Sequence, residues 1–168
     1  MTSSAIETRW YAWPELDPDT LYGLLKLRSD VFVVEQACVF SEMDGLDPLC
    51  EHLVATAADG RVVATLRVVP PNTRRPHSPS PAADGPAIGR LVVDATQRGT
   101  GLARRLMALG LERCASRHPG VAVYLSAQQH LEAFYASLGF ARLRAPYDED
   151  GIPHVDMRRA PLYSQPAR

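Results

Sequence analysis

Residues 88–103 read IGRLVVDATQRGTGLA, an apolar run followed by a polar turn and a glycine-rich segment. The apolar run Ile88 to Val93 predicts a buried β-strand. The chain from Gly99 to His118 predicts a helix, since apolar residues recur along one side of it, and Pro119-Gly120 ends it. The apolar run Val121 to Ser126 then completes a strand–helix–strand unit, which implies a parallel pair of strands.

The segment that joins the strand to the helix reads Arg98-Gly99-Thr100-Gly101-Leu102-Ala103. Glycines let a backbone approach a phosphate closely, and the first amides and the dipole of a helix favour negative charge. Two familiar phosphate motifs do not fit, because a Walker loop needs Gly-Lys-Ser/Thr and a GxGxxG motif needs glycine where Arg104 stands. Taken alone, the segment is either an anion site or a plain helix-entry turn.

The rest of the chain predicts a mixed order of strands and helices. The predicted strands are Ile6–Trp10, His52–Ala57, Val62–Val69, Phe140–Arg144 and His154–Arg158, and the predicted helices are Asp17–Val34 and His130–Leu138, the second ended by Gly139. Asp59-Gly60 predicts a hairpin with a type I′ turn. Six of the 14 prolines fall in residues 70–86, which predicts a surface loop. The fold class is therefore α/β, with a mostly antiparallel mixed sheet.

Length and composition place the chain among ordinary globular proteins. Its 168 residues predict one domain over 1–168, with a core at about 5–160 and a tail at 161–168. Hydrophobic residues make up 46% and charged residues 22%, which argues against long disorder. The formal net charge of −1 gives no general field for nucleic acid or anionic lipid, so neither is expected as a partner.

The cysteines and the apolar runs indicate the cellular compartment of the protein. Cys38, Cys50 and Cys114 are too few and too far apart for a disulfide framework or a CxxC metal site. No basic stretch followed by an apolar one opens the chain, and no apolar run reaches the length of a membrane span. The sequence therefore predicts a reduced, cytoplasmic protein that carries no metal.

The glycine-rich segment after a strand resembles the pyrophosphate loop of the GNAT family of acyl-CoA N-acyltransferases. A second landmark of that family is a polar residue followed seven positions later by a tyrosine, in a helix that ends in Gly-Phe; here these are Gln128, Tyr135 and Gly139-Phe140. The segments that resemble the ElaA-type branch of the family are Arg28 to Gln36, Tyr124 to Gln128 and Glu149 to His154.

The resemblance implies a GNAT fold in which acyl-CoA, expected to be acetyl-CoA, enters a gap between two splayed strands. Backbone groups of Leu91, Val92 and Val93 would pair with the pantetheine arm, amides from Arg98 to Ala103 would bind the pyrophosphate, and Gln128 would contact the cofactor. The Tyr135 hydroxyl would protonate the leaving thiolate, although core packing also explains a tyrosine on an apolar helix face. The family needs no metal, because an amine attacks the thioester directly.

The acceptor side contains three carboxylates at E-x-D-x-x-D spacing, Glu42, Asp44 and Asp47. With Arg28, Phe32 and Arg67 they also resemble, more distantly, acyl-homoserine-lactone synthases, which lack the glycine-rich loop found here. The hypothesis is an acidic acceptor site for a cationic amine, with the arginines holding the carboxylates in place. An acidic surface loop with structural arginine pairs is the competing interpretation. His154 and His52 are candidate bases, with His154 also a candidate substrate contact.

The sequence thus predicts an N-acetyltransferase that acts on a small-molecule or peptide amine by direct attack in a ternary complex. Two alternatives remain open, lactone-synthase-like acyl transfer and a CoA-binding sensor or interaction module without catalysis. The sequence does not determine the oligomeric state, and a homo-oligomer is one of the states it allows.

Overall fold

The computed structural model describes residues 5–76 and 78–161. The strands are β1 Glu7–Ala12, β2 Glu51–Thr56, β3 Val62–Val69, β4 Ala87–Val93, β5 Val123–Gln128, β6 Ala141–Arg142, β7 Tyr147–Glu149 and β8 Ile152–Arg159. The helices are α1 Pro18–Ser29, α2 Leu102–Arg117 and α3 Glu132–Ala136. Within these ranges the strands form one sheet in the order β1-β2-β3-β4-β5-β8-β6, with β7 paired to β8.

The predicted parallel pair is β4 and β5, and the other strand pairings of the described chain are antiparallel. The two strands pair in register only at Ala87 and Tyr124, where the Tyr124 amide also donates to the Pro86 carbonyl at 3.0 Å. The strands are not paired beyond this point. The sheet is therefore open along β4 and β5, and a cleft begins there.

Helix α2 packs its apolar side on the sheet. Leu106 and Met107 are fully buried and belong to one core with Leu66 of β3 and Val155 of β8. The helix begins at Leu102 rather than at Gly99 as predicted, because Gly99 and Gly101 have left-handed φ angles of +74° and +86° that a right-handed helix does not accommodate.

The hairpin of β2 and β3 is confirmed, but its predicted type I′ turn is wrong. Gly60 has a φ of +84°, whereas Asp59 is not among the described residues with positive φ. The Gly60 amide donates to the Ala57 carbonyl, and the Ala57 amide to the Arg61 carbonyl, both at 2.9 Å. This is the longer connection in which a left-handed glycine follows an ordinary turn.

The helix predicted over Asp17–Val34 is α-helical only as far as Ser29, where α1 ends, and then continues in a wider helical form. Residues 30–35 form a π-helical segment, in which the Gln36 amide donates to the Val31 carbonyl at 3.1 Å. The sequence missed this widening because apolar spacing does not distinguish the two helix types. Short π segments often occur at functional sites, and this one lines the cleft.

The last part of the chain differs most from the prediction. The strand expected over 140–144 is reduced to β6, and β7 was not predicted. Strands β7 and β8 form a hairpin through Asp150 and Gly151, which both have left-handed φ angles, +54° and +81°. From residue 162 onward the predicted tail lies outside the described residues.

Candidate functional site

A cleft of about 1240 Å³ occupies the gap between β4 and β5. One end lies at the glycine-rich segment before α2, and the cleft continues past the π segment to the proline-rich loop. Its size exceeds that of most small-molecule pockets, which suits a long ligand together with a second reactant.

The glycine-rich segment presents free amides at one end of this cleft. None of the amides from Gly99 to Arg104 donates a hydrogen bond within the described chain. A Cβ built on Gly99 or Gly101 would meet nothing within 4 Å, so the space in front of both is open. The Arg98 guanidinium instead binds Glu35 at 2.7 and 2.9 Å. The backbone is therefore the available anion-binding group here, and it fits a phosphate.

Strand β4 carries a bulge where it borders the cleft. Thr65 pairs with Val92 and Arg67 with Gly89, so two β4 residues lie opposite one residue of β3. Arg90 has a left-handed φ of +52°, which marks the irregular position. A bulge leaves an extra residue out of the ladder and re-aims its neighbours. Leu91, Val92 and Val93 follow the irregular position and line the cleft, and their contact with pantetheine stays a prediction.

Tyr135 of α3 both packs in the core and lines the cleft. Its ring lies 5.1 Å from that of Phe134 and 6.4 Å from that of Phe140. Burial raises the pKa of its hydroxyl to about 12. Within the described chain this hydroxyl has no hydrogen-bond partner, so it is available as a donor to a ligand. The role of Tyr135 as the general acid stays a prediction. The side-chain amide of Gln128 donates to that of Gln36 at 2.9 Å, and its contact with the cofactor also stays a prediction.

The acidic segment forms a buried ion network with three arginines. Arg28 is 1% exposed and binds Glu42 at 2.7 Å and Asp47 at 2.8 Å. Arg67 is 3% exposed and binds Asp44 at 2.5 Å and Asp47 at 2.9 Å. Three carboxylates therefore face three guanidinium groups, the third being Arg90, and their formal charges cancel.

Arg90 is the member of this network that the sequence analysis missed. Its guanidinium binds Glu42 at 2.9 Å and Asp44 at 3.3 Å, which ties the acidic segment to the bulge in β4. Burial alone would raise the pKa of Asp44, but Arg67 and Arg90 outweigh it and lower that pKa to about 2. Asp44, Arg67 and Arg90 line the cleft, whereas Arg28, Glu42 and Asp47 lie behind them.

The opposite wall is a ladder of polar side chains on β5 and β8. Alternation along β5 sends Val123, Leu125 and Ala127 into the core. The residues between them line the cleft and pair across to β8 as Tyr124–Arg158, Ser126–Asp156 and Gln128–His154. The alternating pattern could have revealed this polar face, which the sequence analysis did not single out.

Asp156 is the buried centre of that wall. It is 6% exposed, accepts from the Tyr147 hydroxyl at 2.9 Å and from the Ser80 hydroxyl, and has Arg75 and Arg144 at 3.5 Å. The carboxylate thereby ties β8 to the proline-rich loop and to the segment before β7.

The two candidate histidines have different surroundings. His154 lines the cleft, and its Nδ1 lies 2.8 Å from the Ile152 carbonyl oxygen. His52 is 1% exposed, does not line the cleft, and binds the Asp47 carbonyl at 2.9 Å through Nε2. Burial lowers the pKa of His52. The structure therefore gives His52 a structural place behind the ion network.

Residues 5–76 and 78–161 contain no group of three or more histidine, cysteine, aspartate or glutamate residues arranged to hold a metal ion. No helix in the same ranges is long and apolar enough to cross a membrane.

The chain is similar to known proteins over most of its length. The family model described as "Acetyltransferase (GNAT) domain" matches residues 51–161. A UPF0039 protein of Synechocystis is 35% identical over 152 residues, which are 90% of this chain and 94% of that protein. The protein ElaA of Escherichia coli is 38% identical over 147 residues, which are 86% of this chain and 90% of that protein.

Solved structures show the same fold. An acyl-CoA N-acyltransferase from Pseudomonas aeruginosa is 39% identical and superposes with a TM-score of 0.82, over 93% of this chain and 100% of that one. The AHL synthase LasI superposes with a TM-score of 0.75, over 93% of this chain and 90% of that one, at 15% identity. At that identity the second likeness concerns the fold alone.

Proposed function

We propose, from the premise that this chain belongs to the GNAT acetyltransferase family, that it transfers an acetyl group from acetyl-CoA to a primary amine. One observation carries the proposal. Arg98 and Ala103, which bracket the run of free amides, line the same cleft between β4 and β5 as Tyr135, whose hydroxyl is also free. An anion-binding turn alone would support binding, whereas the second group supports catalysis.

The cleft can hold both reactants in line. The amides at the start of α2 would bind the pyrophosphate of CoA, and the irregular strand β4 would pair with the pantetheine arm. The thioester would then lie farther along the cleft, in reach of an amine that enters from the proline-rich loop. Holding two reactants in this way can supply about 7–11 kcal/mol of the barrier when they are well oriented.

The reaction needs one bond to form and one to break. The nitrogen of the neutral amine attacks the thioester carbon and forms the C–N bond, and the C–S bond then breaks. Of the two protons that a protonated amine loses in becoming an amide, one ends on the thiol of CoA and the other leaves to solvent. We assign the donor to the departing sulfur as the Tyr135 hydroxyl.

The acceptor contacts divide into two groups. Asp44, Arg67 and His154 line the cleft and stay candidates for direct contact. Arg28, Glu42 and Asp47 lie behind the wall, so we assign them to holding Asp44 and Arg67 in place. Because the charges of the network cancel, we expect it to attract a cationic acceptor less strongly than an unpaired acidic loop would.

The test combines direct CoA binding with release of free thiol from acetyl-CoA. We expect calorimetric binding of CoA, and turnover with at least one amine from a panel of polyamines, amino sugars, peptide N-termini and peptide lysines. CoA binding with no turnover on any amine would favour a binding module. Formation of an acyl-homoserine lactone would favour the synthase alternative.

A further inference from the structure

The proposed reaction needs a group that takes a proton from the amine, because a protonated amine has no lone pair to attack with. Most acidic side chains in the cleft are already engaged. Glu35 binds Arg98, Asp44 binds Arg67 and Arg90, and Asp84 accepts from the Tyr124 hydroxyl at 2.6 Å. Asp156 accepts from Tyr147 and Ser80 and faces two arginines.

His154 differs from these residues because its lone pair is available. The Ile152 carbonyl can only accept a hydrogen bond, so Nδ1, at 2.8 Å from it, carries the hydrogen of the neutral ring. The lone pair then lies on Nε2, for which the described chain provides no partner. The ring is held by stacking on Tyr147, with ring centres 6.2 Å apart and planes at 25°. The structure thus fixes one tautomer with its accepting nitrogen unoccupied.

Glu149 provides a second observation on the same wall. It lines the cleft from β7, on the same face of that strand as Tyr147. Its Oε2 is buried and has no hydrogen-bond partner in the described chain. A buried carboxylate oxygen without a donor is unfavourable, and an ammonium group in the cleft would supply one.

We propose that Nε2 of His154 is the general base that deprotonates the acceptor, and that Glu149 holds the ammonium group beside it. This inference rests on the proposed transferase function. The N–H bond of the ammonium breaks and its proton passes to Nε2, which leaves the lone pair on nitrogen for attack on the thioester. The imidazolium then releases this proton to solvent. The second proton, which the nitrogen loses after the attack, ends on the thiol of CoA.

Other charged and titratable groups surround this histidine, and their presence shapes the pH test. Tyr147 and Glu149 face it from β7, Asp156 lies two residues away on β8, and Gln128 of β5 lies opposite and does not titrate. Because a general base works only in its unprotonated form, we expect an acidic limb in the pH profile of kcat/KM that depends on His154.

The decisive variant is His154→Asn. The asparagine amide can keep donating to the Ile152 carbonyl, but it lacks the proton-accepting nitrogen. We expect kcat/KM to fall by roughly a hundredfold or more, with unchanged CoA affinity and loss of the acidic limb. Glu149→Gln should instead mainly raise the KM for the amine. His118→Gln, which lies outside the cleft, is the matched control and should keep wild-type kinetics.

The outcomes separate this inference from the function on which it rests. If the wild type turns over no amine, the proposed function fails. If the wild type is active and His154→Asn keeps its rate and pH profile, His154 is not the base. If Glu149→Gln removes the acidic limb while His154→Asn keeps it, Glu149 is the base and the proposal is overturned. Added imidazole should restore part of the activity of His154→Ala, which a merely structural histidine would not explain.

Discussion

The hydroxyl of Tyr135 is protonated at neutral pH, as an ordinary tyrosine is, and burial raises its pKa further, to about 12. A thiolate whose conjugate acid has a pKa near 8.5 is a weaker base than the tyrosinate, so complete proton transfer to it is uphill. The hydroxyl therefore acts first by hydrogen bonding to the sulfur as negative charge develops there.

Tyr135→Phe tests this role, since phenylalanine keeps the ring packing against Phe134 and Phe140 and removes only the hydroxyl. We expect kcat to fall by roughly tenfold to a thousandfold, with little change in CoA affinity. Steady-state rates at saturating acetyl-CoA measure the effect. Tyr22→Phe, which changes an exposed tyrosine on α1, is the control. Wild-type turnover in Tyr135→Phe would leave Tyr135 with a packing role alone.

At the scale of single elements, the start of α2 carries the cofactor prediction. Gly101 has a φ of +86° and faces open space, so any side chain there projects toward the anion site and also strains the backbone. A glutamate would additionally repel a phosphate. We expect Gly101→Glu to abolish CoA binding in a calorimetric titration.

Gly60→Glu is the control that separates the backbone strain caused by Gly101→Glu from its obstruction of the anion site. Gly60 has nearly the same φ, +84°, and also faces open space, but it lies in the hairpin of β2 and β3 outside the cleft. Both variants should lose similar stability, on the order of 1 kcal/mol, while only Gly101→Glu loses CoA binding. Equal CoA affinity in the two variants would remove the glycine-rich segment from the site.

At the scale of the whole molecule, the buried ion network joins distant parts of the chain. Arg28 is on α1, Arg67 on β3 and Arg90 on β4, and all three bind the segment that contains Glu42, Asp44 and Asp47. Removing one partner of a buried pair is costly, because an uncompensated charge remains in the interior. The network thus connects stability to the shape of the cleft wall.

The acid stability of the protein should reflect this network. The pKa of Asp44 falls from 3.8 to about 2 on folding, so its ionised form favours the folded state by about 2 kcal/mol above pH 4. This contribution is lost as the pH falls from about 4 toward 2. We expect Asp44→Asn to unfold more easily than the wild type at pH 6, with the two free energies of unfolding converging near pH 2.

Chemical denaturation at several pH values measures this difference. Asp59→Asn is the matched control, because Asp59 pairs with Arg61 in an exposed hairpin turn and should change stability little. The effect of Asp44→Asn should also persist in high salt, since salt screens buried charges weakly. A constant stability difference between pH 6 and pH 2 would contradict the role given to Asp44.

Local features of the sequence were enough to predict much of the fold. Apolar spacing predicted α2 and most strands, the strand–helix–strand order predicted the parallel pair, and the glycine-rich segment predicted a turn with free amides. These features can be recognised locally, because a helix or strand that is buried on one side has apolar residues at regular intervals along the sequence. The same dipeptide shows the limit of local signals. Asp59-Gly60 and Asp150-Gly151 both form hairpins, yet only the second has positive φ at both residues.

The partners of the charged groups were decided only by the tertiary structure. Spacing predicted that Glu42, Asp44 and Asp47 act together, but not that Arg90, 48 residues away from Glu42, completes their charge balance. Likewise, the sequence left both His52 and His154 as candidate bases, and burial separated them. Ion pairing and burial depend on contacts between residues far apart in the chain, and no local periodicity records them. The local sequence therefore determines the helices and strands, whereas the chemistry of the cleft depends on which distant residues the folded sheet places next to one another.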